Sequence, residues 1–254
     1  MHDRRALLAF DPDLGAALDA GRRAQAERQL VARLARLAPG TWRPEPGALG
    51  SEGGIGLLIV EGFMLRRCAL EHRAAGEVLG PGDLLRPWED GGEHAVYPYE
   101  QGWRVLRAVT VAILDPPFTG RLGAFPEVIA ALTGRAMNRS RRVTGNLVLA
   151  QLASVEHRVL LALWHMADQW GRVRPDGVIV PVPLTHAMLG LVVGARRPSV
   201  TAALGELAEH GLVCPEAAGG FRLTGGPPKD LPLVRGARAV ALSAGGGAGS
   251  ARRA

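Results

Sequence analysis

The chain has 254 residues, 47% of them hydrophobic, and a formal net charge of +6 at pH 7. This length suffices for two modest domains, each with its own core. Two cysteines lie 146 positions apart, outside any CxxC or Cys/His cluster, so the sequence signals neither a disulfide framework nor a metal site. No stretch approaches the roughly 18 apolar residues of a membrane span, and no cleavable signal begins the chain, so we expect a cytoplasmic protein.

The excess of positive over negative charge is confined to the C-terminal half. Residues 1–125 carry 15 Lys/Arg against 16 Asp/Glu, residues 126–150 carry 4 against 1, and residues 151–254 carry 11 against 7. This distribution fits a polyanion partner held by the C-terminal half, or equally a solvated basic surface without a partner.

The first 41 residues are predicted to be helical, with Leu30, Leu34 and Leu37 at helical spacing until Pro39-Gly40 stops the pattern. Residues 42–125 then read as short apolar runs between glycine and proline turns, including Gly80-Pro81-Gly82-Asp83 and Asp90-Gly91-Gly92. This texture is typical of a small antiparallel β-barrel or sandwich. The predicted fold class is therefore α+β.

Pro126 begins a long predicted helix over residues 126–152, because proline at a first helical position loses no hydrogen bond. Its apolar residues fall within an arc of about 60°, narrower than the stripe of an ordinary surface helix. The seam consists of Ile129, Leu132, Ala136, Val143, Leu147 and Ala150. Such a seam favours helix-to-helix pairing between two chains over packing within one domain, and Arg139 and Asn146 at its edge are candidates for fixing register.

Residues 153–224 contain a helix-turn-helix pattern followed by a wing. Ser154 is predicted to cap one helix and Thr185 the next, Gly194 makes the turn, and a helix over residues 198–209 ends at Gly211. Two strands joined at residues 217–220 complete a winged domain, in which the second helix enters a DNA major groove. Residues 225–254 lack an apolar period and are predicted to be a disordered tail.

The second helix begins with two arginines, and their positions suggest different tasks. Arginine presents a planar fork that takes both acceptors of a guanine edge, so Arg197 is the predicted base reader. Arg196 and Ser199 are predicted to bind the phosphate backbone, and Thr201 and Thr185 complete the predicted DNA-binding set. The alternative is a solvated, charged helix cap.

The stretch "VPLTHAMLGLVVGARRPSVTAALGELAEHGLV", preceded by "SVEHRVLLALWHMADQWG", resembles the winged-helix domain of the Crp/Fnr superfamily. Upstream, the glycine-punctuated strands with "GPGDLL" resemble the family's cyclic-nucleotide-binding-like jelly roll, and residues 126–152 resemble its dimerisation helix. The resemblance implies a homodimeric regulator of transcription that binds a palindromic site in double-stranded DNA, with RNA polymerase as a further candidate partner.

The sequence departs from the family where an effector binds. Members that bind cyclic nucleotides carry Arg-Ser or Arg-Thr in a phosphate loop, whereas the corresponding loop here contains Glu89, Asp90 and Glu93. Cyclic AMP is therefore not expected, although Arg86 or Arg104 could replace the missing arginine. Two distant cysteines cannot hold an iron–sulfur cluster, and haem would require His72 or His94, so no cofactor is predicted and the effector is unknown.

Two other functional classes remain open from the sequence. A cupin-like enzyme on the small barrel would need several histidines with a carboxylate, and the barrel segment offers only His72 and His94. The segment contains no P-loop, GxGxxG motif or nucleophile–histidine spacing, so no catalytic residue is predicted. A winged helix that binds an acidic protein instead of DNA is the second alternative, and salt dependence of binding distinguishes the two.

Overall fold

The computed structural model describes residues 4–44, 49, 53–88, 99–217 and 219–228. Helices and antiparallel sheets are mixed along the chain, which confirms the predicted α+β class. The N-terminal elements are β1 (Arg4–Ala6), α1 (Leu7–Phe10), a 3-10 turn (Pro12–Gly15) and α2 (Ala20–Gln29). The predicted tail beyond residue 228 and the acidic loop over residues 89–98 lie outside the described residues.

The predicted N-terminal helix is wrong at both of its ends, because Arg4–Ala6 forms strand β1 and Val31–Leu37 forms strand β2. In a strand, successive side chains point to opposite faces, so the same apolar residues that fit a helix can also serve two cores on either side of a sheet. Ala32 and Leu34 contact the core around α1 and α2, whereas Ala35 and Leu37 contact the core of the sheet. Long-range pairing of β2 with a distant strand decides between the two readings.

The N-terminal half of the chain contains a seven-stranded antiparallel sheet, with two strands of 15 residues at its centre. After β2 its strands are β3 (Gly40–Trp42), β4 (Gly56–Leu70), β5 (Arg73–Leu79), β6 (Leu84–Leu85) and β7 (Glu100–Leu114). The order is β1-β2-β7-β4-β5, with β3 on β7 and β6 on β4. Gly62, at φ +88°, marks a shift in the β4–β7 register, since a Cβ there would lie 2.1 Å from the carbonyl oxygen of Ala108.

Two helices follow the sheet, α3 (Pro116–Leu122) and the predicted long helix α4 (Pro126–Leu149). The first half of α4 packs against the N-terminal elements through Val128 and Leu132, which are buried. Arg22 of α2 also holds Glu127 through two hydrogen bonds of 2.9 and 3.0 Å. No helix within the described ranges has the length and apolar character needed to cross a membrane.

The C-terminal elements form a small helical core beside a four-stranded sheet of order β10-β11-β9-β8. They are α5 (Val155–Trp170), β8 (Arg172–Arg174), β9 (Gly177–Val180), α6 (His186–Val193), α7 (Arg197–Glu209), β10 (Val213–Pro215) and β11 (Phe221–Leu223). Ser154 caps α5 by accepting a hydrogen bond from the His157 amide at 3.1 Å. The predicted helices, turn and wing hairpin are present, and β8 is a strand that the sequence reading missed.

The seven-stranded sheet and the C-terminal elements are in contact near the turn formed by residues 80–83. The rings of Phe63 and Trp170 pack edge to face, with their centroids 5.4 Å apart. The indole Nε1 of Trp170 donates a hydrogen bond to the Pro81 carbonyl at 3.2 Å. Asp83 is 4% exposed and ion-pairs with Arg142 of α4. Burial raises the pKa of the Asp83 carboxyl, and the charge of Arg142 opposes that effect.

Candidate nucleic-acid interface

Helices α6 and α7 meet at a tight turn that requires glycine. Gly194 ends α6 in the left-handed region at φ 64° and ψ 38°, as the sequence predicts. Gly190 lets the turn approach α6, because a Cβ there would lie 2.6 Å from the Ala195 carbonyl oxygen. Thr185 caps α6 by accepting from the Met188 amide at 3.3 Å. The angle between the two helices is therefore fixed by local backbone chemistry.

The inner face of the helix pair is apolar and buried. Val200, Ala203 and Leu207 of α7 lie in one core with residues of α5 and α6. Leu189, Val192 and Val193 supply the α6 side, and all three are buried. With this face turned inward, the opposite face of α7 is presented to solvent.

The exposed first turn of α7 carries the predicted DNA-binding residues. Arg196 is the N-cap, with φ −75° and ψ 150°, and Pro198 occupies the first turn, where it needs no donor. Arg196, Arg197, Ser199 and Thr201 are all exposed. Within the part of the chain that the structure describes, neither guanidinium makes a hydrogen bond or an ion pair. Both positive charges are available to a ligand.

Thr201 is exposed, but its hydroxyl already has two neighbours. Its Oγ1 donates to the Arg197 carbonyl at 3.0 Å and lies 2.8 Å from Nδ1 of His186. A hydroxyl has one proton, so His186 Nδ1 is the donor in this pair. His186 at the start of α6 is thus a further residue of this surface that the sequence reading missed, since only the crossing of α6 and α7 brings it to Thr201.

The wing contributes less free charge than its composition suggests. Arg222 of β11 contacts Asp176 at 2.5 Å and Glu216 at 3.3 Å. The hydrogen bond to Asp176 raises the pKa of the Arg222 guanidinium, which leaves the arginine paired. Arg172 and Arg174 of β8 are exposed.

Solved structures with the same fold cover most of the chain. A CooA mutant from Carboxydothermus hydrogenoformans is 15% identical with a TM-score of 0.58, covering 86% of this chain and 91% of that one. A cyclic nucleotide-binding domain containing protein from Listeria monocytogenes EGD-e is 16% identical with a TM-score of 0.60, covering 85% and 97%. The c-di-GMP responsive global regulator CLP of Xanthomonas campestris is 18% identical with a TM-score of 0.52, covering 82% and 100%. No curated protein matches the chain.

The family model of the Crp-like helix-turn-helix domain matches residues 157–224. Residues 157–224 thus form a Crp-like helix-turn-helix domain. The matched range contains the whole of α6 and α7 and both strands of the wing hairpin. The exposed arginines therefore lie at the start of the second helix of a Crp-like domain.

The predicted dimerisation residues on α4 do not share one environment. Ile129, Ala136 and Leu147 are exposed, and Val143 and Ala150 are half-buried. Leu132 is only 4% exposed, because the N-terminal elements of its own chain cover it. Arg139, expected at the edge of the seam, instead pairs with Glu77 of β5 at 2.7 Å and donates to the Leu84 carbonyl.

The exposed face of α4 is nevertheless apolar and uncharged along most of its length. Four of the seven exposed large hydrophobic side chains in the described ranges lie on this helix, namely Ile129, Met137, Leu147 and Val148. Small or hydroxyl-bearing residues lie between them at Thr133, Ala136, Ser140 and Thr144. Exposed apolar surface of this extent on one helix is typical of a contact between chains.

A cavity of about 500 Å³ lies between the seven-stranded sheet and α4. Most of its lining is apolar, and Arg66, Arg86 and Arg139 also reach it. Glu77 ion-pairs with Arg66 at 3.1 Å and with Arg139 at 2.7 Å. Burial alone would raise the pKa of the Glu77 carboxyl, but the hydrogen bond and charge of Arg139, with the charge of Arg66, lower it. Glu77 is therefore ionised and balances part of the arginine charge.

The histidines considered as haem ligands give no such site in the described structure. His72 has an exposed side chain beside Glu71 at the tip of the β4–β5 hairpin, away from the cavity lining. His94 lies outside the described residues. Among the residues that the structure describes, no three His, Cys, Asp or Glu side chains are grouped as a metal site would require.

Proposed function

We propose that this chain is a homodimeric transcription regulator that binds a palindromic site in double-stranded DNA through the α7 helices of two protomers. The observation that carries the proposal is the exposed pair Arg196 and Arg197 at the start of the second helix of a Crp-like domain, neither of which has a side-chain partner among the described residues. In a helix-turn-helix, residues at this position face the base edges of the major groove. The likeness to CLP, titled a global regulator, supports a role in regulation.

The two arginines have different tasks in this proposal. Arg197 is the first residue of α7, and its forked guanidinium matches both acceptors of a guanine edge. Arg196 is the N-cap and lies before the first helical residue, a position that suits contact with a phosphate on the flank of the groove. Ser199 and the amides of the first turn are donors for phosphate oxygens, which fix register without reading sequence.

The hydroxyl groups add contacts of lower specificity. Thr185 accepts a hydrogen bond from the Met188 amide and keeps its own proton for a phosphate. Thr201 donates to its own helix and accepts from His186, so we propose van der Waals contact with a base for Thr201 and a polar contact for His186.

The dimer is proposed to form along the exposed face of α4, through Ile129, Ala136, Met137, Leu147 and Val148. Pairing would remove these side chains from water, which is favourable at about 25 cal/mol per Å² of apolar surface. Leu132 is left out of this surface because its own chain covers it. Val143 and Ala150 lie at its margin.

We propose the cytoplasm as the site of action, because a regulator must meet DNA and RNA polymerase. The effector is proposed to be a molecule other than cyclic AMP. Two of the three arginines that line the 500 Å³ cavity are engaged by Glu77, which leaves a largely apolar volume within the range of small-molecule pockets.

Cyclic AMP is expected to give no specific heat in titration calorimetry with the full chain. The cyclic phosphate needs a cation together with backbone amides, and an ionised Glu77 beside the cavity opposes a second anion. Submicromolar binding would overturn this expectation. Glu77→Gln serves as the comparison, since removing the carboxylate charge would release two arginines toward the cavity.

The proposed function is tested by offering the full chain a pool of random duplexes and sequencing those retained. A motif with inverted symmetry is expected to be enriched, and its affinity should fall steeply as salt rises because phosphate contacts release counterions. Retention without an enriched motif would contradict sequence-specific binding. Absence of retention at low salt would favour an acidic protein partner instead.

A further inference from the structure

The side chain of Arg158, near the start of α5, forms hydrogen bonds with two residues that lie far apart in the sequence. Its Nε donates to the Leu152 carbonyl at 2.5 Å, and its Nη1 donates to the Gly194 carbonyl at 3.2 Å. The side chain is half-buried between these two acceptors. One guanidinium thus connects the segment before α5 to the turn inside the helix-turn-helix.

The two carbonyls have distinct structural positions. Leu152 lies in the short link between α4 and α5, just after the end of the long helix. Gly194 is the left-handed residue that ends α6 and starts the turn into α7. Arg158 therefore ties the end of α4 to the turn that sets the direction of the DNA-facing helix.

A direct contact reinforces the same junction. A Cβ on Gly194 would lie 3.3 Å from the Cβ of Ala150, so the turn rests against the last residues of α4. A cavity of about 220 Å³ beside it is lined by Asn146 and Leu147 of α4 and by Leu191 and Val192 of α6. Ala150 and Gly194 also line this cavity, so the hydrogen bonds of Arg158 add a directional constraint beside a contact that is open on one side.

The chemistry of arginine suits this task. The guanidinium is planar and rigid, and its donors leave at fixed angles, so two acceptors held by it have a defined separation. Hydrogen bonds from a charged donor are also stronger than neutral ones. A lysine ammonium has similar charge and reach but no such fork, and it would not hold both carbonyls in this geometry.

We propose that Arg158 is a positioning residue that fixes the direction of α7 relative to α4, and thereby the half-site spacing that the dimer accepts. The inference rests on the proposed function, because it presumes two α7 helices held by a dimer along α4. Adding one base pair between half-sites rotates one against the other by about 35°, since B-DNA turns once in about 10–10.5 base pairs. A dimer whose α7 helices are held rigidly therefore accepts one spacing, and a loosened junction accepts neighbouring spacings.

The test uses a library of duplexes that contain the enriched half-site twice, inverted, with the spacer length varied one base pair at a time. Wild-type chain is expected to retain duplexes of a single spacing. Arg158→Met is expected to lose this preference and spread over adjacent spacings, while its base preference within one half-site stays unchanged. Arg158→Lys is expected to behave like Arg158→Met, because charge without the fork does not set the geometry.

The matched control is Arg174→Met, which removes an exposed arginine of the same domain and should keep the single spacing. Thermal unfolding of each variant shows whether it is folded. If Arg158→Met does not unfold cooperatively, the spacing preference of Arg158→Lys alone decides the outcome. Unchanged spacing in both variants would overturn the inference, and so would restoration of the single spacing by lysine. If the wild-type chain shows no preference for paired half-sites, the proposed function fails instead.

Discussion

Arg197→Ala is expected to weaken binding to the enriched DNA site by about 1–3 kcal/mol, or roughly 5- to 150-fold. The base preference at one position of each half-site should relax at the same time. The physical reason is the loss of a bidentate contact by a side chain that is exposed and unpartnered in the free chain, so its removal leaves the protein core intact. Equilibrium binding to the site and to its single-base variants measures both effects.

Two variants separate base reading from general attraction. Arg196→Ala is expected to weaken binding to all sequences nearly uniformly and to reduce the salt dependence, because a phosphate contact carries no sequence information. Arg28→Ala removes an exposed arginine of α2, far along the chain from the helix pair, and should leave affinity unchanged. An Arg197→Ala chain with unaltered base preference would rule out the assigned role.

Leu147→Asp is expected to convert the chain to a monomer and to abolish high-affinity binding to the palindrome. Leu147 is 62% exposed on the apolar face of α4, so an aspartate is tolerated by the monomer but would be buried, unpaired, between two helices in the dimer. Analytical ultracentrifugation gives the mass in solution, and DNA titration gives the accompanying loss.

Leu70→Asp is the matched control, because Leu70 is 45% exposed at the end of β4 rather than on α4. That chain should remain a dimer. Leu132 is unsuitable for this test, since an aspartate there would enter the core formed with α1, α2 and α3 and would unfold the monomer. A Leu147→Asp chain that sediments as a dimer would exclude α4 as the dimer surface.

The C-terminal domain was the part most readily predicted from sequence, because its signals are local. Ser154 and Thr185 each bond an amide three residues later, and Gly194 takes the left-handed conformation that its side-chain-free backbone allows. Such capping and turn chemistry depends only on residues that are close together in the chain. The predicted helix boundaries of this domain therefore lie close to the observed ones.

The parts that sequence reading missed depend on distant contacts. Strand β2 has the leucine spacing of a helix, and only pairing with β1 and β7 makes it a strand. Leu132 fits the periodic seam of α4 but is covered by elements about 100 residues earlier in the chain. Periodicity shows which residues share a face, and the tertiary fold decides what covers that face.

In the candidate DNA-binding surface and on α4, too, local features were predictable from the sequence, whereas contacts between distant residues were not. The position of Arg197 followed from the helix start, whereas the pair of His186 and Thr201 required the crossing of α6 and α7. Arg139 was assigned to a dimer seam on spacing alone, yet it binds Glu77, 62 residues earlier. Long arginine side chains reach partners that no short sequence window contains.

The central claim is that two chains, paired along α4, place two α7 helices on two half-sites of one duplex. Native mass measurement of the complex on the enriched duplex tests it most directly, with a second duplex in which one half-site is scrambled. The account predicts two chains on the intact duplex and a large loss of affinity when one half-site is scrambled. One chain per duplex, or equal affinity for both duplexes, would contradict it.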